Sequence, residues 1–327
     1  MILRTLYLHN FRKFTKSKII YFSPSINVFY GKNAQGKTTI LEAIYLLSTG
    51  RSFKTNKLQE LIQENKSHFY IEAQIEKDQA EHTIKIYYDK SKKKLQYNST
   101  SYTTFTPLFG LMPSTLSAPM DSLIISHSPN IRRKFLNLHI CQYNNLYIHH
   151  YSRFIKALKN RNELLKQNSL QTIGVWENQL AISCAFLTYH RNLALIELEK
   201  ISTIYLKKLS TLEKSITLKY ISPIKDLSSI DSITNQYLDL FKQFREKEVI
   251  LKTTLHSPLK DDFLISIEKK DARCFASEGQ KKTISCALRL AQWKDLKNKK
   301  SIDPIMNIDD FDIFLDEIRK KNFCNLL

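Results

Sequence analysis

Hydrophobic positions follow different rhythms in different parts of this 327-residue chain. From His68 to Phe105 the segments FYIEAQIE, HTIKIYYD, KLQYN and SYTTF alternate apolar with polar residues and are separated by short polar turns. That period of two predicts an antiparallel meander with one face in water. Ile2, Leu6 and Leu8 predict a strand within Met1–Asn10. A polar bend follows at Phe11–Lys16, and a second strand near Lys18–Phe22. The apolar, β-branched run Ile26, Val28 and Phe29 reads as a buried strand that stops at Gly31. Ile40, Leu41, Ile44 and Leu47 then lie on one helix face.

A helical half begins near Asn130. Trp176, Leu180, Cys184, Leu187, Ala194, Leu198, Ile201, Tyr205, Leu209 and Leu212 recur at steps of three and four, with Arg191 interrupting. This predicts one long amphipathic helix packed on a partner, not a cofactor box. Pro223 and the serine-rich stretch to Ser232 break it. A further helix, Ile233 to Leu255, is expected to return the chain, and Phe263–Ile267 (FLISI) reads as a strand. A last helix runs through Ala287, Leu288, Leu290 and Ala291 to Trp293, ahead of an apolar strand at Ile305–Ile308. The expected division is 1–129, 130–252 and 253–327.

The junction between the Ile26 strand and the Ile40 helix carries chemistry. Gly31-Lys32-Asn33-Ala34-Gln35-Gly36-Lys37-Thr38 fits G-x-x-x-x-G-K-[ST]. A strand before this pattern and a helix after it are the context that makes it a phosphate site. The two glycines let backbone N–H groups turn toward a phosphate, and the helix N-terminus adds partial positive charge. Lys37 is placed to reach the β- and γ-phosphates of a nucleoside triphosphate, and the Thr38 hydroxyl to hold Mg²⁺.

A second anion-binding pattern, Ser277-Glu278-Gly279-Gln280, opens the last helix; by itself it is equally an N-cap serine on an ordinary helix. The strand Ile305–Ile308 ends in Asp309 and Asp310. At a strand end beside a phosphate loop, Asp309 can hold Mg²⁺ and Asp310 can orient or deprotonate the attacking water.

Composition adds a partner. Fifty Lys and Arg face 31 Asp and Glu, a net +19, which argues for a polyanion, nucleic acid before acidic membrane. From His127 to Lys166 eight basic residues stand against one acid, Glu163. Arg153, Lys156, Lys159 and Arg161 fall on neighbouring turns of one helix, a candidate stripe for sequence-independent DNA contact. Arg132 and Arg133 serve either DNA or the nucleotide lobe. The lysines at 90 and 92–94 read as a solvated hairpin. Five scattered cysteines without C-x-x-C spacing predict reduced thiols in a cytoplasmic protein, with no zinc site. No stretch approaches a membrane span or a signal peptide.

Several of these motifs together resemble the RecF family, bacterial recombination-mediator ATPases related to SMC heads. They are FRKF at 11–14, GKNAQGKT at 31–38, GRSF at 50–53, the P-x-x-RRKFL run at 129–136, SEGQKKT with ALRLAQ over 277–292, and IDDF at 308–311. The resemblance spans nearly the whole chain in order. It implies an α/β fold: an ABC/SMC-like P-loop ATPase head, with a mixed sheet and an antiparallel β subdomain, plus a helical second lobe. It also implies ATP sandwiched between two protomers, with Lys37 and Thr38 of one facing Ser277, Gly279 and Gln280 of the other. ATP then promotes a homodimer and hydrolysis releases it. The implied task is to bind gapped or junction DNA and help load RecA, with RecR and RecO as partners.

The sequence departs from the family pattern at Pro119-Met120-Asp121, at Ser257–Asp262, at Asn307 and at 312–316. Measured against the resemblance, the sequence reaches Leu327 before the family's closing strands and switch residue, which leaves a truncated and a naturally shortened chain both open. These departures place ATP binding ahead of efficient hydrolysis, with a weak DNA-dependent ATPase activity at most. Two other readings stay open: a different ABC-type ATPase, and a DNA-binding relic that hydrolyses ATP poorly.

Overall fold

A computed structural model describes residues 1–14, 17–33, 35–210, 214–311 and 317–326. The chain divides into two compact units, Met1–Pro119 with Gln292–Phe314, and Met120–Ala291 with Leu315–Leu327.

The first unit is built on a six-stranded antiparallel sheet of order β2-β1-β3-β4-β5-β6. Its strands are β1 (Ile2–His9), β2 (Lys18–Tyr21), β3 (His68–Lys77), β4 (Ala80–Asp89), β5 (Lys93–Tyr97) and β6 (Thr100–Tyr102). The period of two sorts their side chains as predicted. Leu6, Leu8, Ile71, Ala73, Ile84, Ile86 and Leu95 point to one side, where they form a core with Ala43, Ile44 and Leu47 of helix α1 (Lys37–Thr49). Helix α1 stops at Gly50, whose positive φ of 65° lets its N–H reach the Leu46 carbonyl at 2.8 Å.

A second sheet in this unit has two parallel strands, β7 (Ser114–Ser117) and β11 (Ile305–Ile308), with Ile305 opposite Ser114 and Ile308 opposite Ser117. The polar Asn307 within β11 is buried, and its side chain donates to the Thr115 carbonyl at 3.2 Å.

The run Ile26, Val28, Phe29 is not a buried strand. It pairs with no described strand, and Ile26 and Val28 are 73% and 74% exposed. Phe29 alone turns to the core, edge-on to Phe22 at 5.9 Å. The apolar run therefore serves a one-sided surface segment, whereas a central strand would need a ladder on both sides.

The second unit is mainly helical: α2 (Leu123–Ser126), α3 (Pro129–Cys141), α4 (Asn145–Gln167), α5 (Ile173–Leu209), α6 (Ile230–Gln243) and α7 (Arg245–Leu251). The long helix runs as its periodicity predicts, burying Leu180, Cys184, Leu187, Ala194, Leu198 and Leu209; Leu212 lies outside the described residues. The single helix expected over 233–255 is two, because Phe244 at φ −100°, ψ 5° interrupts it.

A three-stranded antiparallel sheet completes this unit, with β9 (Asp262–Ile267) between β8 (Ile216–Ile221) and β10 (Lys270–Asp271). Pairing of β8 with β9 ties the segment after 253 to the helices, and the chain passes between the two units at 119/120 and 291/292. Helices α8 (Ala272–Phe275), α9 (Glu278–Lys300) and α10 (Glu317–Cys324) follow; α9 belongs to the second unit up to Ala291 and to the first from Gln292. None of the five cysteines forms a disulfide. Among the described residues no helix is long and apolar enough to cross a membrane.

Candidate phosphate-binding site

The loop from Gly31 to Gly36 delivers the chain into the N-terminus of α1. Gly36 occupies the N-cap at φ 97°, and a Cβ there would lie 3.0 Å from the Phe14 ring, so only glycine fits. Gly31 stands at φ 140°. The Lys37 ammonium donates to the carbonyls of Gly31 at 2.6 Å and Lys32 at 3.2 Å, which draws it across the loop. Lys32, Asn33 and Gln35 are exposed on the same loop, and Ala34 lies outside the described residues.

The carboxylates reach this loop through β11. Asp309 follows the strand directly, and its N–H donates to the Ser117 carbonyl at 2.9 Å, extending the parallel ladder by one bond. That fixes its side chain where the Thr38 hydroxyl donates to Oδ1 at 2.9 Å. Burial pushes the Asp309 carboxyl above the usual carboxylate range; the Asp310 charge adds to the rise, and the Thr38 hydroxyl opposes it. Asp310 is exposed, in the left-handed region at φ 50°. Residues 312–316 lie outside the described residues.

Two motifs that sequence reasoning left without a role brace the loop. Arg12 makes a bidentate pair with Glu42 of α1, at 2.7 and 3.0 Å, and also donates to the Glu60 carbonyl at 2.8 Å. The Ser52 hydroxyl donates to the same Glu42 carboxylate. Glu42 is 1% exposed, so these partners are what make its burial tolerable. FRKF thus supplies the counter-ion of α1 and, through Phe14, the floor under Gly36; GRSF supplies Ser52. The signal was the one acid of α1, Glu42, set between Leu41 and Ala43.

The remaining predicted residues belong to the second unit. Ser277, Gly279 and Gln280 open α9, where Gln280 accepts from the Ser277 N–H at 2.9 Å and Ser277 Oγ accepts from the Gln280 N–H at 3.3 Å. This is a reciprocal capping box, and Ser277 and Gly279 are exposed at the helix end. Asp121 anchors the same helix through a bidentate pair with Arg289, at 2.6 and 3.0 Å.

Of the basic stripe on α4, Arg153, Lys156 and Lys159 are exposed, but Arg161 is not. It is fully buried, paired with Glu177 at 2.8 Å and Glu248 at 2.7 Å, and donates to Thr254 at 2.9 Å. Seven residues after the buried Phe154, it returns to within about 20° of that inward face. It is a structural ion pair and leaves the stripe. Arg132 is likewise buried, bidentate to Asp262 at 2.7 and 2.8 Å, and Arg133 donates to the Asp261 carbonyl at 2.7 Å. Both tie α3 to the start of β9.

The family model described as RecF/RecN/SMC N terminal domain matches residues 2–327. A "DNA replication and repair protein RecF" of Protochlamydia amoebophila is 38% identical over 328 residues, covering 100% of this chain and 91% of that protein. Proteins of the same name from Chlamydia trachomatis and Clostridium botulinum are 33% and 34% identical, with 98% and 99% of this chain covered against 88% and 89% of theirs. Among solved structures, the recombination mediator protein RecF with ATP in the RecFOR pathway superposes with a TM-score of 0.92 at 27% identity, covering 99% of this chain and 89% of that one. An archaeal SMC head domain from Pyrococcus furiosus shares the fold, at a TM-score of 0.51 and 14% identity. The chain belongs to the RecF family within the RecF/RecN/SMC N-terminal-domain proteins.

Proposed function

We propose that this protein binds ATP and DNA as a replication and recombinational-repair ATPase, a recombination mediator of the kind its relatives are named for. The observation that carries the reading is the pairing of Thr38 with Asp309 beside a loop whose lysine is already drawn across its mouth. Backbone N–H groups at the α1 N-terminus and the Lys37 ammonium would take the β- and γ-phosphates.

The donor set at Thr38 and Asp309 suits Mg²⁺. One hydroxyl and one carboxylate are hard oxygen ligands, and Mg²⁺ keeps several waters and takes phosphate oxygens for the rest. Among the described residues no cluster of three or more His, Cys, Asp or Glu competes as a metal site. When bound, the ion would neutralise charge developing on the β- and γ-phosphates. Asp310 is the candidate for orienting the attacking water.

Ser277, Gly279 and Gln280 are the surface through which a second copy would contact the nucleotide, giving an ATP-dependent homodimer. Arg153, Lys156 and Lys159 are candidates for phosphate contacts with DNA irrespective of sequence. RecR and RecO remain the expected partners. Titration of a fluorescent ATP analogue into the wild-type chain and Lys37→Ala, with DNA binding and phosphate release on the same samples, tests the reading. Equal nucleotide affinity in the two proteins would remove its basis.

A further inference from the structure

The outer face of the six-stranded sheet, opposite its core, carries a row of rings that the nucleotide site does not use. Strand pairing puts Tyr7 and His9 of β1, His68 and Tyr70 of β3, and Tyr87 of β4 on this one face, since their neighbours Leu6, Leu8, Phe69, Ile71 and Ile86 point inward. The rings touch across the strands: Tyr7 to Tyr70 at 5.8 Å, His9 to His68 at 5.8 Å, and His68 stacked on Tyr87 at 5.4 Å. All five are partly exposed. Ile19 and Tyr21 of the edge strand β2, opposite Tyr7 and Thr5, extend the face and are 52% and 77% exposed.

Hydroxyls fix these rings. Tyr7 donates to Ser17 Oγ at 2.8 Å, the same oxygen lies 3.0 Å from His9 Nδ1, and Tyr87 donates to Asp89 at 2.8 Å. Tyr7 and Tyr87 are thus held by their own hydroxyls, with the polar Thr5, Glu72, Gln74 and Lys85 beside the rings on the same face.

Charge says what covers it. Lys94 stands directly opposite Tyr87 on β5, and Lys90 and Lys92 lie in the turn joining β4 to β5. All three are exposed, and among the described residues no carboxylate pairs with their ammonium groups. On this face Glu72 pairs with Lys85 and Glu76 with Arg4, and Asp89 accepts from Tyr87 and Ser91; the exposed Glu81 lies at the opposite end of β4 from the lysines. Ser91, Lys92, Lys93, Lys94 and Tyr102 line a concavity of about 470 Å³ beside β5 and β6.

Rings ending in an unpaired cationic rim match a polymer of flat bases on an anionic backbone. We propose that this sheet face is a stacking platform for the unpaired bases of a single nucleic-acid strand, with its phosphates held by Lys90, Lys92 and Lys94. A helical duplex hides its base faces and cannot use the rings, so the site is distinct in kind from the stripe on α4. It rests on the DNA-binding reading only in the choice of polymer.

Anisotropy titrations of the full chain with three labelled ligands test it: a thymidine homopolymer of about 15 nucleotides, an abasic strand of equal length, and a duplex. The abasic strand keeps the phosphates and lacks the bases. The wild-type chain should bind the homopolymer at least about tenfold more tightly than the abasic strand. Tyr70→Leu with Tyr87→Leu should erase that margin and leave duplex and nucleotide affinity unchanged. Equal affinity of the unaltered chain for the base-bearing and abasic strands overturns the platform, independently of how any variant folds. Duplex binding without single-strand binding overturns the platform and leaves the DNA reading standing. Binding of none of the three overturns both.

Discussion

The Thr38 hydroxyl donates to Asp309 Oδ1 at 2.9 Å, across 271 residues of sequence. The bond joins the first turn of α1 to the end of β11, and it makes one unit of the phosphate loop and the carboxylate that would share its metal. Thr38→Val keeps the side chain's shape and removes the donor. The buried Asp309 carboxyl should then rise further, with a stability loss of about 1–3 kcal/mol from the unsatisfied acceptor. Nucleotide affinity should fall with Mg²⁺ present and change little in EDTA. Calorimetric titration under both conditions reads the difference; an equal loss in the two would assign Thr38 to the fold alone.

Lys37→Ala should weaken nucleotide binding without unfolding the unit, because Lys37 is only partly buried and bonds to loop carbonyls alone. A charge-assisted bond to phosphate of about 1.5–3 kcal/mol corresponds to a loss of roughly tenfold to a hundredfold. Circular dichroism melting should be within a few degrees of wild type. The measurement to set beside it is the dissociation constant for a fluorescent nucleotide.

Arg12→Ala should be among the most damaging substitutions in the first unit. It strips the bidentate partner from Glu42, which is 1% exposed, leaving a buried charge with the Ser52 hydroxyl and little else. Breaking such a pair costs about 3–5 kcal/mol. Adding Glu42→Gln should recover part of it, because the neutral amide no longer needs a counter-ion. Urea denaturation of the two single variants and the double variant gives the coupling. Additive losses would mean that the pair is not coupled.

These cases show where the sequence was legible. The meander β3–β6 was, because one wet face forces strict alternation; the phosphate loop was, because its glycines and lysine are fixed in spacing. Asp309 was singled out by its place after an apolar strand, but its partner Thr38 lies 271 residues away and no local pattern carries that. Strand β8 was missed although Ile216, Leu218 and Tyr220 alternate, since the preceding helix is the stronger signal there. Arg161 was misplaced because a count of charges ignored the phase of the helix: it shares a face with Phe154 and Leu165, not with Arg153. Ile26 and Val28 look like a core strand in composition, and only pairing distinguishes the two.

Asp261 should make the second unit sensitive to pH. It is 2% exposed, and burial pushes its pKa up to about 6, against the opposing pull of Arg191, the Tyr220 hydroxyl and Arg133. The folded state then holds a proton that the unfolded chain has lost near pH 4. The stability this adds is complete below about pH 4 and disappears as pH rises through about 6. Between pH 5 and pH 7 the loss should be about 1 kcal/mol, and Asp261→Asn should flatten that part of the profile. Unfolding midpoints at the two values in the same denaturant decide it; an unchanged slope in the variant would assign the pH dependence elsewhere.

The final prediction concerns duplex DNA and the exposed cations of α4. Arg153 and Lys156 lie three residues apart and Lys159 three further on, so the three charges follow adjacent turns of one exposed helix face. No helix-turn-helix or zinc-finger pattern accompanies them in the sequence, so contact should be to phosphates and independent of base sequence. Replacing each by Glu in turn should weaken duplex binding by similar factors for any sequence. Each lost contact should lower the slope of log affinity against log salt by about one. Arg161→Ala behaves differently: it should leave the salt slope alone and lower stability, because its guanidinium is buried between Glu177 and Glu248. Affinities at several salt concentrations, with thermal melts of the same proteins, separate the two outcomes. If the triple Glu variant keeps both the affinity and the slope of the wild type, the stripe is only a solvated face and the duplex lies against another surface.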